Sequence, residues 1–501
     1  MNNQMDLCRP ITRLQFPLIA LLIFVCLIRL WLEISYLNQP IFEGYIGRQI
    51  PTAMVARNLG QGGLFFYPKL QTGPFPSYFL VEPPIYAWLT AKTQILSGLT
   101  LEASGRLVSL CGSCFTAAGL YLWAKAKTNN KVALFSFIFF LSMPVSIRYG
   151  RAFQPDSLAI GLIMLGSGLI QFKSKKYQIL GMFIISMGIT TKITLIPFTL
   201  IAFCQPEMKL ADFKKILYLI LVISIPAILW YFWVFAFLYI KSQPGAGQSA
   251  DGLKYWWLMI GPLGFSDLSK LKEMIKNIFW SGFTPLWPII IISSIALKIK
   301  FQSIFSGLVA ILFWLIVVGA KAHHGYYWLV AAPFFAIMIA LFIDQLSKKQ
   351  LRISIFLILL LVITGFLQSA RTWQTPPEWQ PLVQDLNQFQ NEMNRNPDSM
   401  IIGPEAVIFA FNRPGLRWEW PADAQKRAAS TWGASLSGQS PAALLEFYRS
   451  KGGRWFLALE TDPQWVSEKE KLMPSIGPQS LVISSGGLLL YDTELTASEP
   501  R

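Results

Sequence analysis

Long apolar stretches decide what this chain can become. From Phe16 to Gln368 they recur at about 17 to 22 residues each, the length that crosses roughly 30 Å of hydrocarbon. A soluble core cannot hide so many of them, and a soluble protein carries roughly 25% charged residues. Of the 501 residues here, 14% are charged and 53% hydrophobic. The net charge of +16 does not describe a nucleic-acid face, because Lys and Arg gather in short clusters between the apolar stretches, where orientation signals belong. The chain is expected to be a polytopic membrane protein, with membrane lipids around it and no nucleic acid as partner.

The basic clusters order the spans. Arg9 and Arg13 put the N-terminus in the cytoplasm ahead of a first span over 16–35, which no A-x-A cleavage site follows. The segment 36–103 then lies outside. Within it Ile85–Leu96 is apolar but short and carries Lys92, which suits a helix lying in the interface rather than crossing. Further spans fall at 104–124, 132–149, 157–172, 216–240, 303–319 and 353–369, with two short apolar stretches at 177–190 and 193–205 separated by Thr191-Lys192. Counting the spans before Lys298 and before Lys348, about 11 transmembrane helices are expected. This topology leaves the cytoplasmic loops short. It gathers the segment 36–103, the Arg151–Asp156 turn, the 241–280 loop, the Lys321–Tyr327 turn and the tail on the extracytoplasmic side.

The five cysteines (Cys8, Cys26, Cys111, Cys114, Cys204) all precede the tail, so no disulfide framework is available there. Cys111-x-x-Cys114 lies inside a hydrophobic helix and is read as packing, not as redox or zinc chemistry. The expected division is a membrane domain, 1–370, and a soluble domain, 371–501. In the tail, apolar runs shorten to strand length at Met400–Ile402, Ala406–Phe411, Trp455–Leu459 and Leu481–Tyr491, the last broken by Gly486-Gly487. Helix-like stretches alternate with them at Glu378–Arg395 and Pro441–Lys451, the second with Ser440 as N-cap, Pro441 at its first position and Gly452 closing it. A small extracytoplasmic α/β domain is expected.

Four polar places fall on the outside face. Glu43, in Phe42-Glu43-Gly44-Tyr45, sits at a membrane exit and is followed by Arg48, Thr52 and Arg57. A carboxylate there can orient a hydroxyl and take its proton; a solvated loop acid is the plain alternative. Glu82-Pro83-Pro84-Ile85-Tyr86 by itself marks only an extended entry to a helix. Arg148, Arg151 and Asp156 crowd one turn, where Asp156 can cap the following helix, hold a hydroxyl or bind a metal. Lys321-Ala322-His323-His324-Gly325-Tyr326-Tyr327 holds both histidines of the chain. Adjacent histidines chelate poorly without further ligands, so phosphate contact or an interfacial aromatic anchor suits them better.

Taken in order, these places resemble the GT-C glycosyltransferases. The likeness is to the family 39-like group, which includes protein O-mannosyltransferases and lipid A aminoarabinose transferases. Residues 42–58 look like that group's acid, Arg-Gln, Thr-Ala and Ala-Arg-Asn pattern, and Pro83-Pro84-Ile85-Tyr86 is similar to its Pro-Pro-Leu-Tyr. Pro155-Asp156 and His323-His324-Gly325-Tyr326-Tyr327 match its later outside loops. Three departures stand out: Glu43 where the group usually has Asp, Pro51 interrupting an interfacial helix, and Glu82 where the aminoarabinose transferases carry Lys.

The resemblance implies an inverting glycosyltransferase of the plasma (inner) membrane. It would take sugar from a polyprenyl-phosphate donor to a lipid, glycan or protein acceptor. Glu43 and Asp156 would be the catalytic carboxylates. Arg48, Arg57, Lys321, His323 and His324 would contact the donor phosphate, and Tyr45, Glu82, Tyr86, Arg151, Tyr326 and Tyr327 would line the cavity. No cofactor is required and no metal site is assigned, though the group leaves room for a divalent cation. The rival readings are a non-catalytic assembly protein of the same fold and a membrane transporter. The one-sided loops and the lack of a span repeat speak against transport.

Overall fold

The structure is a computed structural model. It describes residues 15–43, 46–203, 210–237, 268–283, 290, 305–418, 432, 440–460 and 463–495. The chain divides into two units: Met1–Gln39 with Glu82–Trp233 and Trp256–Trp373, and Pro40–Val81 with Val234–Tyr255 and Gln374–Arg501.

Among the described residues three helices are long and apolar enough to cross a membrane: Pro17–Ser35, Leu101–Lys127 and Leu351–Ser369. The Gln15–Ser35 helix is the inverse of a soluble amphipathic helix. Ile23, Phe24, Leu27, Trp31 and Ile34 are exposed while Arg29 and Glu33 are buried, the arrangement expected when lipid is the solvent. Arg29, near the end of that span, therefore does not snorkel as its position suggests. Other predicted spans appear as broken or short helices. The span 132–149 splits into Asn130–Ser142 and Pro144–Tyr149, with Met143 extended (ψ 132°) because a residue before proline is pushed out of the helical region. The span 216–240 bends by 56° between Lys214–Ile223 and Ile225–Phe235. There Ser224 turns its hydroxyl onto Ile220 O and Pro226 supplies no N–H. The predicted span before Lys298 lies largely outside the described residues. The apolar segment Ile85–Leu96 is helical, within Ile85–Ser97.

Glycine sets the packing in the larger unit. Gly105, Gly112 and Gly119 recur every seven residues on the Leu101–Lys127 helix, facing Phe153, Ser157-Leu158 and Met164-Leu165. A Cβ on Gly161 would stand 2.2 Å from Gly112 O, and one on Gly188 would stand 2.8 Å from Ala159 O. The Asp156–Ile170 helix is thus pressed backbone to backbone between Leu101–Lys127 and Lys175–Thr191, as small residues permit in membranes. Gly161→Val should separate the first pair. Overpacking of this kind costs about 1–3 kcal/mol, and thermal melts of detergent-solubilised protein should show a lowered midpoint; an unchanged midpoint would mean that the close approach is dispensable.

In the smaller unit a five-stranded sheet runs in the order β2-β1-β3-β5-β4. β1 is Met400–Gly403, β2 Gly415–Arg417, β3 Gly453–Leu459, β4 Leu481–Ser485 and β5 Leu488–Asp492. β1 pairs in parallel with β2 and β3, whereas β5 pairs antiparallel with β3 and β4 across the Gly486-Gly487 turn. Pro441–Ser450 is a helix as expected, its Ser440 side chain accepting from Ala443 N. Ala406–Phe411, expected as a strand, is instead part of the helix Glu405–Phe411. A run of six apolar residues carries no period that separates a strand from a buried helix, and here Pro404 starts the helix and Asn412, at φ 52°, ends it. The Pro463–Ile476 helix and β2 have no counterpart in the sequence reading.

Residues 40–81 pack with this sheet domain. Gly73 N donates to Gly415 O (2.8 Å) and Gly415 N to Gln71 O (2.9 Å), which extends the sheet beyond β2. Phe42 stacks on Trp379 with centroids 5.8 Å apart. The Ile46–Gly60 helix runs through Pro51 without a break, so the proline does not interrupt it.

Candidate functional site

Two antiparallel helices put a charged residue at the same end of the larger unit. Asp156 is the first residue of Asp156–Ile170, and Lys192 follows the last residue of Lys175–Thr191. Their side chains are 1% and 4% exposed, and Lys192 Nζ donates to Asp156 Oδ1 in a buried ion pair. Asp156 Oδ2 accepts no hydrogen bond among the described residues, nor does the side chain cap its own helix. The capping role that the sequence allowed is not the one adopted.

The Gly319–His323 and Gly325–Val330 turns come to the same place. Lys192 Nζ lies 4.9 Å from the centre of the Tyr327 ring and 5.9 Å from that of Tyr326, within cation–π range. His324 stacks on Tyr326 (5.6 Å, 15°) and lies 3.9 Å from the His323 ring, while Asn277 Nδ2 donates to His323 O (2.7 Å). Asp156, Lys192, Tyr326, Tyr327, His324 and His323 therefore form one contiguous series, and buried Lys321 acts electrostatically on His324.

Burial first, then the neighbouring His323 and Lys321, lower the His324 pKa from 6.5 to about 4. At neutral pH its imidazole offers a phosphate hydrogen bonding and no positive charge. Below about pH 6.5 the unfolded chain takes up a proton that the folded site does not, so stability falls with pH and stops falling below about 4. His324→Gln should remove this component from melting curves recorded between pH 7 and 4.5; identical slopes for the two proteins would contradict it.

The 148–156 turn is held from beneath. Arg151, fully buried, donates from Nε to Glu33 Oε2 (3.1 Å) and from Nη2 to Tyr36 O, and its guanidinium lies 4.4 Å over Trp373. Glu33 also binds Arg29 Nε (2.8 Å). Tyr86, buried, donates to Gly105 O (2.7 Å) and meets Ser109, whose hydroxyl donates to Ala152 O. Arg151 and Tyr86 are thus built into the frame of the turn. Glu82 is half-buried ahead of buried Pro83 and Pro84.

In the smaller unit Glu43 is 6% exposed, and Gln49 Nε2 donates to its backbone O (2.9 Å). Arg48 is half-buried. Arg57 donates to Phe409 O (2.8 Å) and Gln71 Oε1 (2.9 Å) with its guanidinium 4.1 Å over the Phe409 ring, which ties the helix to the sheet domain. Tyr45 lies outside the described residues.

The sequence reading did not assign Lys192 or Glu33 to a site. Lys192 left one trace, as the charge dividing two apolar stretches; a lysine there needs a buried partner. Among the described residues no three His, Cys, Asp or Glu side chains come together as a metal site, and Cys26, Cys111 and Cys114 are free thiols.

Comparison with known proteins bears on the fold that holds these residues. Residues 81–233 match the model of the family described as dolichyl-phosphate-mannose-protein mannosyltransferase. The chain is similar to ArnT from Cupriavidus metallidurans in the apo state, with a TM-score of 0.63 at 12% identity over 96% of this chain and 99% of that one. The same protein bound to undecaprenyl phosphate gives 0.64 at 12% identity, with the same coverage. The Archaeoglobus fulgidus oligosaccharyltransferase in its apo form gives 0.51 at 11% identity over 89% of this chain and 70% of that one. No curated protein sequence matches. The chain thus shares the fold of these membrane glycosyltransferase structures, and within it residues 81–233 carry the match to the mannosyltransferase family.

Proposed function

We propose that the chain is an inverting glycosyltransferase moving a sugar from a polyprenyl-phosphate donor to an acceptor at the extracytoplasmic face of the plasma (inner) membrane, with the N-terminus cytoplasmic and the sheet domain outside. The observation that carries this reading is the series from buried Asp156 through Lys192, Tyr326 and Tyr327 to half-buried His324 and His323. It joins two of the places that the family resemblance marks. The solved ArnT bound to undecaprenyl phosphate supports a lipid monophosphate as the leaving group, since it shares this fold.

In the proposed reaction the acceptor oxygen attacks the anomeric carbon and the bond from that carbon to the phosphate oxygen breaks. Polyprenyl phosphate leaves with the electron pair, and the acceptor proton passes to the Glu43 carboxylate. Lys321 and Arg48 supply positive charge to the departing phosphate, while His323 and neutral His324 supply hydrogen bonds. Arg57 serves the same end indirectly in this scheme, because its guanidinium already holds Phe409 O and Gln71. Tyr326 and Tyr327 offer rings for a sugar to pack against, and Arg151, Tyr86 and Glu82 keep the surrounding turns in place.

The test is transfer by the purified protein in detergent. Polyprenyl-phosphate sugars are offered with a phosphoglycolipid, a threonine-containing peptide or an alkyl glycoside as acceptor, and released polyprenyl phosphate is measured. Release that depends on an acceptor, with inverted product stereochemistry, is the expected result. No release from any donor, or a retained configuration, would sink the proposal.

A further inference from the structure

Lys192 is a buried cation whose charge is already answered. Its ammonium donates to Asp156 Oδ1 and sits over the Tyr327 and Tyr326 rings, at 4% exposure. A phosphate arriving here would have to displace the Asp156 carboxylate or lie against its second oxygen, and both are unfavourable. Taken as a unit, the pair carries no net charge. It does carry one unanswered hydrogen-bond acceptor, because Asp156 Oδ2 is buried and accepts from no group among the described residues. Such an oxygen is unfavourable in the folded protein until a donor reaches it. The neighbouring hydroxyl of Ser157 is not that donor, since its one proton goes to Ser109 O (2.8 Å).

Close backbone packing fixes the pair. Gly188 lies against Ala159 and Gly161 against Gly112, so the end of Lys175–Thr191 and the start of Asp156–Ile170 have little freedom to move apart. Lys192 itself is extended (φ −152°, ψ 98°) between that helix and the Ile193–Thr199 turn.

Building on the transferase reading, we infer that Asp156, Lys192, Tyr326 and Tyr327 form a subsite for an uncharged hydroxyl group of a sugar, distinct from the place that takes the lipid phosphate. Asp156 Oδ2 accepts from the hydroxyl, the tyrosine rings flank it, and Lys192 is the positioning residue that holds Asp156 by its other oxygen. The hydroxyl belongs either to the donor sugar or to the acceptor, and kinetics separates the two.

The experiment compares wild type with Lys192→Arg, with Asp156→Asn, and with the double variant Asp156→Asn and Lys192→Met, which leaves no unpaired buried charge and so guards against simple misfolding. Binding of undecaprenyl phosphate, which carries no sugar, is measured beside transfer, with donor and acceptor concentrations varied separately. In the double variant undecaprenyl phosphate affinity should stay within about twofold of wild type. The KM of one sugar-bearing substrate should rise by about tenfold to a hundredfold, the worth of one hydrogen bond to a charged group. A rise in donor KM assigns the hydroxyl to the donor sugar, and a rise in acceptor KM assigns it to the acceptor. Lys192→Arg, which keeps a cation for Asp156, should leave that KM within a few-fold of wild type. Loss of undecaprenyl phosphate binding by folded protein would make this a phosphate site and overturn the inference, as would unchanged KM on both arms. Wild type that binds undecaprenyl phosphate but transfers from no donor would overturn the transferase reading and this subsite with it.

Discussion

Glu43→Gln should lower sugar transfer by about 10²–10⁴-fold, the range for removal of a general base, while undecaprenyl phosphate binding persists. The substitution keeps the volume and removes the basicity, so it tests proton transfer rather than packing. That distinction matters because Glu43 is buried on a short turn after the Gln15–Ser35 helix, and Gln49 already grips the turn through the Glu43 backbone oxygen. A larger change would disturb that turn. Glu43→Asp is the informative companion. The related group places Asp at this position, and one methylene fewer draws the carboxylate back by roughly one bond length. If the turn has adapted to the longer side chain, Asp loses activity as well; if the base is reached with slack, Asp retains most of it. More than a tenth of wild-type turnover in Glu43→Gln would place the base elsewhere.

The legible part of this fold was what lipid imposes locally. Apolar length marked Leu101–Lys127 and Leu351–Ala370, and the Ser440-Pro441 pair marked a helix start whose cap bond is present. The Asp156 and His323–Tyr327 turns were picked out as polar places and do belong to one series. What stayed hidden depends on partners far apart in sequence. Glu33 meets Arg151 118 residues away, and Lys192 meets Asp156 36 residues away, so each reads alone as a stray charge in apolar surroundings. The packing of 40–81 on the sheet domain was equally unreadable. It rests on backbone bonds between Gln71, Gly73 and Gly415, and backbone groups leave no mark in the side-chain pattern. The Ala406–Phe411 helix was hidden for the opposite reason: every one of its apolar residues suits either structure.

Glu33→Leu should be the most destabilising single change in the larger unit. One carboxylate there serves two buried guanidinium groups, accepting from Arg29 at 2.8 Å and from Arg151 at 3.1 Å, and all three side chains are at most 4% exposed. The surplus positive charge rests on carbonyls: Arg29 donates to Leu141 O and Ser146 O, and Arg151 to Tyr36 O. Leu141 lies in the last turn of Asn130–Ser142, where the helix dipole presents its negative end. Removing the acid leaves two cations buried side by side, a loss of about 3–5 kcal/mol for a broken buried pair. At about 2–4 °C per kcal/mol for chains of a few hundred residues, the melting midpoint in detergent should drop by about 10 °C. The contrast comes from removing the whole network. Arg29→Leu, Glu33→Leu and Arg151→Met together bury no unpaired charge, and such replacements are often neutral or stabilising, so the triple variant should melt near wild type. Transfer should nevertheless stay low in it, because Arg151 fixes the turn that leads into Asp156 and a methionine has no donor for Tyr36 O. A Glu33→Leu midpoint within about 2 °C of wild type would show that the two arginines are compensated without Glu33. Recovery of full activity in the triple variant would show that the network contributes stability alone and that the Asp156 turn keeps its position without it.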